Sequence, residues 1–125
     1  MGKSFSDTVL DQKLLYIQNN GNQMFACSAE PTTYVEASAT FRLGLVAMTT
    51  PGDYTGPEDY TTGRKITTVQ KTMPVDTSGT VTHYAICDSV GSALLAVTTS
   101  QTSSAVVIGN DIVVPAFEIR DADPV

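Results

Sequence analysis

Hydrophobic and polar residues alternate along much of this chain, with the short period typical of β-strands. The clearest case is 81–99, VTHYAICDSVGSALLAVTT, where two apolar runs flank a short loop that contains Gly91. This pattern predicts a hairpin. Alternation assigns the residues of the first run to two faces: Val81, His83, Ala85 and Cys87 against Thr82, Tyr84, Ile86 and Asp88. Neither face is cleanly polar, so we expect a central hairpin that is covered on both sides.

A helical pattern lies near the start of the chain and predicts an amphipathic helix over 4–20. Ser4 and Asp7 match a capping box, and Gly21 follows two asparagines, which predicts a helix end in a left-handed conformation. The apolar stripe is formed by Val9, Leu10, Leu14, Tyr16 and Ile17. We expect this helix to pack on its own domain, with presentation to a partner as the alternative.

Further strand-like runs occur at 23–28, 41–49, 64–72 and 105–119. In the second of them, Gly44 suggests a bulge or a close backbone approach. Alternation there places four side chains on one face: Phe41, Leu43, Leu45 and Ala47. The run 64–72 contains lysines that discourage unwanted pairing, so we expect it at a sheet edge.

The run 105–119 carries a local hairpin signal, because Gly109 and Asn110 lie between two β-branched segments. Pro115 cannot donate to a ladder, so we expect the second run to bend or to end its pairing there. Turn-forming and polar residues predict a turn at 73–79, a connection at 100–104 and an acidic tail at 120–125, frayed or laid on a partner.

These elements predict a single domain over 1–125, with a helix at 4–20, strands within 23–119 and the tail at 120–125. One helix and about seven short strands imply a mainly β fold, an antiparallel β-sandwich or barrel with a helical appendage. A hydrophobic share of 42% is ordinary for a globular chain.

The segment 50–63, TPGDYTGPEDYTTG, has the composition of a loop. Its two tyrosines are candidates for partner contact, although they can equally pack back onto the domain. Its acids, Asp53, Glu58 and Asp59, lack the regular spacing of a calcium loop, so we expect no metal. With the basic pair that follows and the C-terminal arginine, the candidate partner-binding residues are Tyr54, Pro57, Tyr60, Arg64, Lys65 and Arg120.

Charge is sparse in this chain. Charged residues make up 16%, whereas eighteen threonines and ten serines supply uncharged polarity. This composition fits either a β-rich fold or a surface that is mostly covered by partners. The net charge of −6 argues against nucleic acid as a partner, and no apolar run is long enough to span a membrane.

No residue pattern indicates catalysis. His83 is the only histidine, and no metal-binding, phosphate-binding or nucleophile motif accompanies it. The start of the chain lacks the apolar core of a secretory signal, so Cys27 and Cys87 are expected to be reduced, although a bridge between them is possible. We therefore expect a protein made in the cytoplasm that is not an enzyme and needs no cofactor.

Five segments resemble a family of small virion proteins of tailed bacteriophages and prophages: FSDTVLDQKLLYIQNNG, ACSAEPTTYVEAS, TGRKITT, VTHYAICDSVGSALLAVTTS and VPAFEIRD. The resemblance implies a head decoration protein on the outer surface of the virion head. Its partner would be the lattice of the major capsid protein, bound by a small homo-oligomer, a trimer or dimer that buries strand edges. In that role, the segment 54–60 and both termini are expected to supply contacts.

Two other classes are alternatives. A tail, collar or fibre component would use exposed tyrosines and threonines to bind another virion protein or a host surface glycan. A small hydrolase domain would need a nucleophile and base, which this sequence does not display.

Overall fold

The computed structural model describes residues 7–60 and 63–122. This part of the chain contains the helix α1 (Asp7–Asn20), a π-helical turn (Glu36–Thr40) and nine strands. The strands are β1 (Gln23–Cys27), β2 (Arg42–Ala47), β3 (Tyr54–Tyr60), β4 (Gly63–Thr68), β5 (Lys71–Pro74), β6 (Gly79–Asp88), β7 (Ala93–Val106), β8 (Asp111–Val114) and β9 (Glu118–Ala122). The predicted mainly β fold with one N-terminal helix is confirmed, with nine strands in place of about seven.

All strand pairs among the described residues are antiparallel, and they form three sheets. The sheets have the strand orders β2-β1-β6-β7, β3-β4-β9 and β5-β8. A bridge between Gly44 and Val75 joins the first sheet to the third. In the described part of the chain no sheet closes on itself. Of the two predicted architectures, the β-sandwich therefore describes the fold better than the barrel.

The predicted central hairpin is present as β6 and β7, and it is covered on both sides. Tyr84 and Ile86 belong to the main hydrophobic core, whereas Ala85 and Cys87 belong to a second cluster around Phe25. Val81 was expected on the same face as Ala85 and Cys87 but lies in the main core. The β6–β7 register shifts between Val81 and His83, and this irregularity reverses the alternation.

The same effect corrects the face assigned to β2. Leu43 lies in the main core, whereas Phe41 and Leu45 pack against the second cluster. The β1–β2 register passes from the pair Ala26–Gly44 to the pair Cys27–Arg42, which leaves Leu43 as the extra residue of a bulge. The close approach expected at Gly44 is confirmed, because a Cβ there would lie 2.7 Å from the carbonyl oxygen of Pro74.

The helix α1 packs against β4 and β9 and touches β3 and β6. Leu14 is fully buried and Ile17 packs against the core, as the stripe predicted, but Tyr16 is 54% exposed and lies off it. The predicted cap residue Ser4 and the side chains of Val9 and Leu10 lie outside the described residues. Helix α1 ends at Asn20, where the sequence predicted its end.

Gly21 has a different role from the one predicted. The described glycines with positive φ are Gly56 and Gly109, so Gly21 is not left-handed. Its lack of a side chain serves close packing, since a Cβ would lie 2.6 Å from both Ile86 and the Tyr54 hydroxyl.

Several segments predicted as irregular are strands. The predicted loop 50–63 contains β3, the predicted turn 73–79 begins inside β5, and the predicted connection 100–104 lies within β7. Residues 120–122 of the predicted tail belong to β9, and 123–125 lie outside the described residues. Strands β3 and β7 pair with their neighbours β4 and β6, whereas β5 and β9 pair with strands distant in sequence. In each case the pairing outweighs a weak local strand preference.

Strand β4 was expected at a sheet edge but lies in the middle of its sheet, between β3 and β9. Its two cations find acidic partners on neighbouring elements, which makes a central position acceptable. The predicted hairpin at 105–119 is also wrong, although its turn and the end of pairing before Pro115 are correct. Strand β8 pairs with β5 instead of with β7. The main-chain carbonyl oxygen of Asn110 accepts a hydrogen bond from the Val75 N–H, which holds the start of β8 beside the end of β5.

Candidate partner-binding surface

All six predicted partner-binding residues lie on the three-stranded sheet β3-β4-β9. Tyr54 is buried, with 5% of its surface exposed, and its hydroxyl donates a 2.6 Å hydrogen bond to the carbonyl oxygen of Gly21. Burial also raises the pKa of this hydroxyl. Tyr54 therefore packs back onto the domain, which is the alternative that the sequence left open for this tyrosine. The side chain of Tyr60 lies outside the described residues.

Arg64 links this sheet to the helix. Its Nε donates to Asp11 Oδ1 at 2.8 Å, and its Nη1 donates to Asp59 Oδ1 at 2.7 Å. Its Nη2 also donates to the carbonyl oxygen of Pro57 at 3.2 Å. The Arg64 side chain is only 15% exposed, so its charge is used within the domain. Pro57 is partly buried beside it.

Lys65 and Arg120 face each other across the β4–β9 ladder and share one carboxylate. Lys65 Nζ lies 2.5 Å from Glu118 Oε2, and Arg120 Nη2 lies 2.6 Å from Glu118 Oε1. These two hydrogen bonds lower the pKa of Glu118. Of the three cations, Arg120 is the exposed one, and it is the predicted residue best placed to meet a partner.

The acids of 50–63 do not gather into a metal site. Asp53 accepts hydrogen bonds from the Thr49 N–H at 2.7 Å and from Lys71 Nζ at 2.9 Å, whereas Asp59 pairs with Arg64. Over the described ranges, no three His, Cys, Asp or Glu side chains come together as metal ligands. Asp53 therefore secures the start of β3.

The remaining reactive side chains are engaged locally. His83 is partly buried, and its Nδ1 lies 2.8 Å from the hydroxyl of the adjacent Thr82. Cys27 and Cys87 are both free and buried in the second cluster. Burial raises the pKa of Cys27 to about 11 and that of Cys87 to about 12, which keeps both thiols protonated at neutral pH.

A groove of about 400 Å³ lies between β7 and the segment that runs from β8 towards β9. Thr98 and Thr99 both line it, and so do Ile112 and Val113 on the other side. Successive residues of a strand point to opposite faces. A groove that touches both members of such a pair therefore runs along the strand's edge. We call it the β7–β8 groove.

Three exposed, branched side chains lie at the β7–β8 groove or next to it in sequence, and we call them the apolar rim. Val113 on β8 lines the groove, and Val107 and Ile108 directly follow Val106, the last residue of β7, which also lines it. Val107, Ile108 and Val113 are 56%, 62% and 58% exposed. Among the described residues that line the groove, Asp111 is the only one with a charged side chain. The combination of exposed branched side chains and little charge is typical of a protein-binding surface.

The floor of the groove is aromatic and its β7 wall is hydroxylated. The rings of Tyr84 and Phe117 stack with centroids 6.4 Å apart and planes 13° apart. Burial raises the pKa of Tyr84, whereas a hydrogen bond with the Ser100 side chain lowers it by less. The wall includes Thr98, Thr99, Ser100 and Ser104. Since the two rings cover each other, the groove offers a partner its hydroxyls and its apolar rim.

Sequence reasoning missed this groove because it divided β7 into a strand and a polar connection. The available signal was the run 93–106, ALLAVTTSQTSSAV, which contains no charged residue and no proline over fourteen positions. A strand of that length at a sheet edge ordinarily carries charges that block further pairing.

The comparisons add no relative to this picture: no protein-family model, curated protein or solved structure matches the chain. Among the described residues, no helix has the length and apolar character needed to cross a membrane.

Proposed function

We propose that this chain is a head decoration protein of a tailed bacteriophage or prophage. It binds the outer surface of the assembled major capsid protein lattice and stabilises the head. The observation that carries the proposal is the β7–β8 groove with its apolar rim, which is a charge-poor surface. Elsewhere in the described chain, five cations are held in ion pairs: Arg42, Arg64, Lys65, Lys71 and Arg120. The sequence segments quoted above supply the class of partner.

The energetics of the surface suit a repeated site on a shell. Burying the three rim side chains favours docking, and little charge has to be desolvated at the same time. One such contact is modest. A small homo-oligomer, a trimer or dimer, multiplies it, because the second contact of a linked pair forms at high effective concentration.

A tail, collar or fibre component that binds another virion protein or a host glycan is the second candidate. Glycan sites commonly present an exposed aromatic face, but Tyr84 is buried and stacks on Phe117 in the groove floor. The apolar rim instead suits contact with a protein surface, and this favours the capsid protein over a glycan as the partner.

Electron cryomicroscopy of the purified particle tests the proposal. We expect density for this domain at regular positions on the outer shell, with the rim turned towards the capsid protein. Density confined to the neck or tail would support the second candidate, and absence of the domain from the particle would refute both.

A matched pair of variants tests the surface itself. Ile108→Lys places a charge on the rim, and we expect about tenfold lower occupancy on heads assembled without the protein. Val90→Lys adds the same charge at a position that is 89% exposed in the β6–β7 turn and should bind normally. Equal loss in both variants, or in neither, would contradict the assignment of the rim.

A further inference from the structure

The open edge of β7 carries an inference about how the partner is bound. Strand β7 is the last strand of its sheet, and the described residues pair with it on one side only, through β6. Its register with β6 is regular over 96–99 and again over 104–106. Residues from both stretches line the β7–β8 groove. Regular, unpaired strand backbone beside a groove is the arrangement that accepts an added strand.

We propose, on the basis of the function proposed above, that an extended segment of the capsid protein lies in the β7–β8 groove and adds a strand to the edge of β7. Backbone hydrogen bonds to β7 provide much of the affinity, and apolar side chains of the segment contact the rim. The hydroxyls of Thr99 and Ser104 offer further hydrogen bonds along the same wall.

The charges of the groove specify the segment's chemistry. Fourteen positions of β7 carry no charge, so charged side chains on the segment would be desolvated there without a partner. The groove does have one charged residue on its other side, Asp111, an exposed carboxylate at the start of β8. The segment that fits is therefore apolar and hydroxylated, with one lysine or arginine opposite Asp111.

A second copy of this chain fits the groove less well. A symmetric contact between two grooves would bring their Asp111 carboxylates towards each other, and the two chains would each contribute a net charge of −6. Like charges at such a contact are destabilising. We therefore assign the groove to the capsid protein and leave self-association to other surfaces.

Hydrogen–deuterium exchange on the full chain, free and bound to assembled heads, tests strand addition directly. We expect the amides of 96–99 and 104–106 to exchange about tenfold more slowly in the bound state. The amides of β1, which is paired on both sides with β2 and β6, serve as the internal reference and should not change. Protection of the turn 107–110 alone, with β7 unchanged, would refute strand addition while leaving head decoration intact.

Two further results would also overturn the inference. If the free protein already showed protection of β7 together with a dimer in sedimentation velocity, the occupant would be a second copy. If heads did not bind the protein at all, the proposed function would fail, and the inference with it.

Two substitutions beside the edge of β7 test strand addition without changing the rim residues. Ala105 is exposed on β7, and Ala105→Lys should reduce head occupancy about tenfold without loss of folding, checked by circular dichroism. Asp111→Lys should reduce occupancy similarly, because it repels the proposed cation. Glu30→Lys makes the same charge change at an exposed acid that does not line the groove and should bind normally. Unchanged binding by Asp111→Lys would refute the basic residue of the segment.

Discussion

The hydroxyl of Tyr54 donates a 2.6 Å hydrogen bond to the main-chain carbonyl oxygen of Gly21. The two residues are 33 positions apart, and the bond joins the first residue of β3 to the point where the chain leaves α1. Gly21 also donates its N–H to the Ile17 carbonyl at 2.7 Å, so it is held from both sides. This contact positions the helix against the sheet that carries Arg64.

Replacing Tyr54 by phenylalanine removes this hydroxyl and leaves the Gly21 carbonyl without its partner. We expect Tyr54→Phe to lower the free energy of unfolding by about 1–2 kcal/mol in urea denaturation. Tyr16→Phe, at a tyrosine that is 54% exposed, should change it by less than about 0.5 kcal/mol. A stable Tyr54→Phe variant that failed to bind heads would instead restore Tyr54 as a contact residue.

Gly21 tolerates no side chain, because a Cβ would lie within 2.7 Å of Ile86, of the Tyr54 hydroxyl and of the Ile17 carbonyl. We expect Gly21→Ala to cost about 1–3 kcal/mol of stability, measured by thermal and urea denaturation. Gly52→Ala is the matched control, since the nearest atom to its Cβ is 3.6 Å away. Equal midpoints for the two variants would show that the packing around Gly21 relaxes without cost.

The sequence was sufficient to predict elements whose signal is local. The β6–β7 hairpin has two apolar runs around a glycine-containing loop, and α1 has a stripe and an end signal. Both exist because their partners are adjacent in sequence or one turn away. The reading of strand faces failed only at bulges, where an extra residue such as Leu43 reverses the alternation.

Two kinds of strand could not be predicted: strands whose own residues are unfavourable in a sheet, and strands whose partner is distant in sequence. The segment 54–60 is of the first kind, because it contains Gly56 and Pro57 and yet forms β3 by pairing with the adjacent β4. Strand β8 follows a correctly predicted turn but pairs with β5, some forty residues earlier in the chain. Turn chemistry specifies that the chain reverses, not which strand it meets.

The candidate surface was the least predictable feature. The sequence favoured exposed tyrosines and basic residues, but burial of Tyr54 depends on Gly21, and the charge of Arg64 is used by Asp11. The β7–β8 groove combines residues from β6, β7 and the 111–117 segment, so no single stretch displays it. Only the absence of charge along β7 was visible beforehand.

Asp53 gives a pH dependence of stability. The hydrogen bond from the Thr49 N–H lowers the pKa of this carboxyl in the folded state, and Lys71 lowers it further. Burial acts in the opposite direction and raises it. A lowered pKa means that the stabilisation is fully present above the unfolded-state pKa of 3.8 and is lost as the pH falls through the folded-state pKa. The affected window therefore lies in the acid range, below about pH 4.

We expect Asp53→Asn to be less stable than the parent by about 1 kcal/mol at neutral pH, with the difference shrinking as the pH approaches about 2. Urea denaturation at a series of pH values measures it. Glu58→Gln, at an exposed carboxylate on the same strand, provides the comparison. A difference that grew on acidification would reverse the sign of the assigned pKa shift.

The two cysteines report on the second hydrophobic cluster. Both are fully buried beside Phe25 and Ala85, and Cys27 Sγ lies 3.8 Å from the carbonyl oxygen of Ala37. Burial is the main cause of both raised pKa values, and for Cys87 the neighbouring Cys27 adds to it. Since thiolates are the reactive species, burial protects these residues both sterically and electrostatically.

We expect neither Cys27 nor Cys87 to react with an aromatic disulfide reagent in the native protein at about pH 8, and both to react once urea unfolds the chain. The pKa values of about 11 and about 12 leave few thiolates, and full burial excludes the reagent. Val90→Cys places a thiol at an 89% exposed site and should react at once, which verifies the reagent. Because labelling of the buried pair requires opening of the cluster, its rate should rise in parallel with any loss of stability in Gly21→Ala. Rapid native labelling of one cysteine alone would mean that β1 or β6 opens locally, without unfolding of the domain.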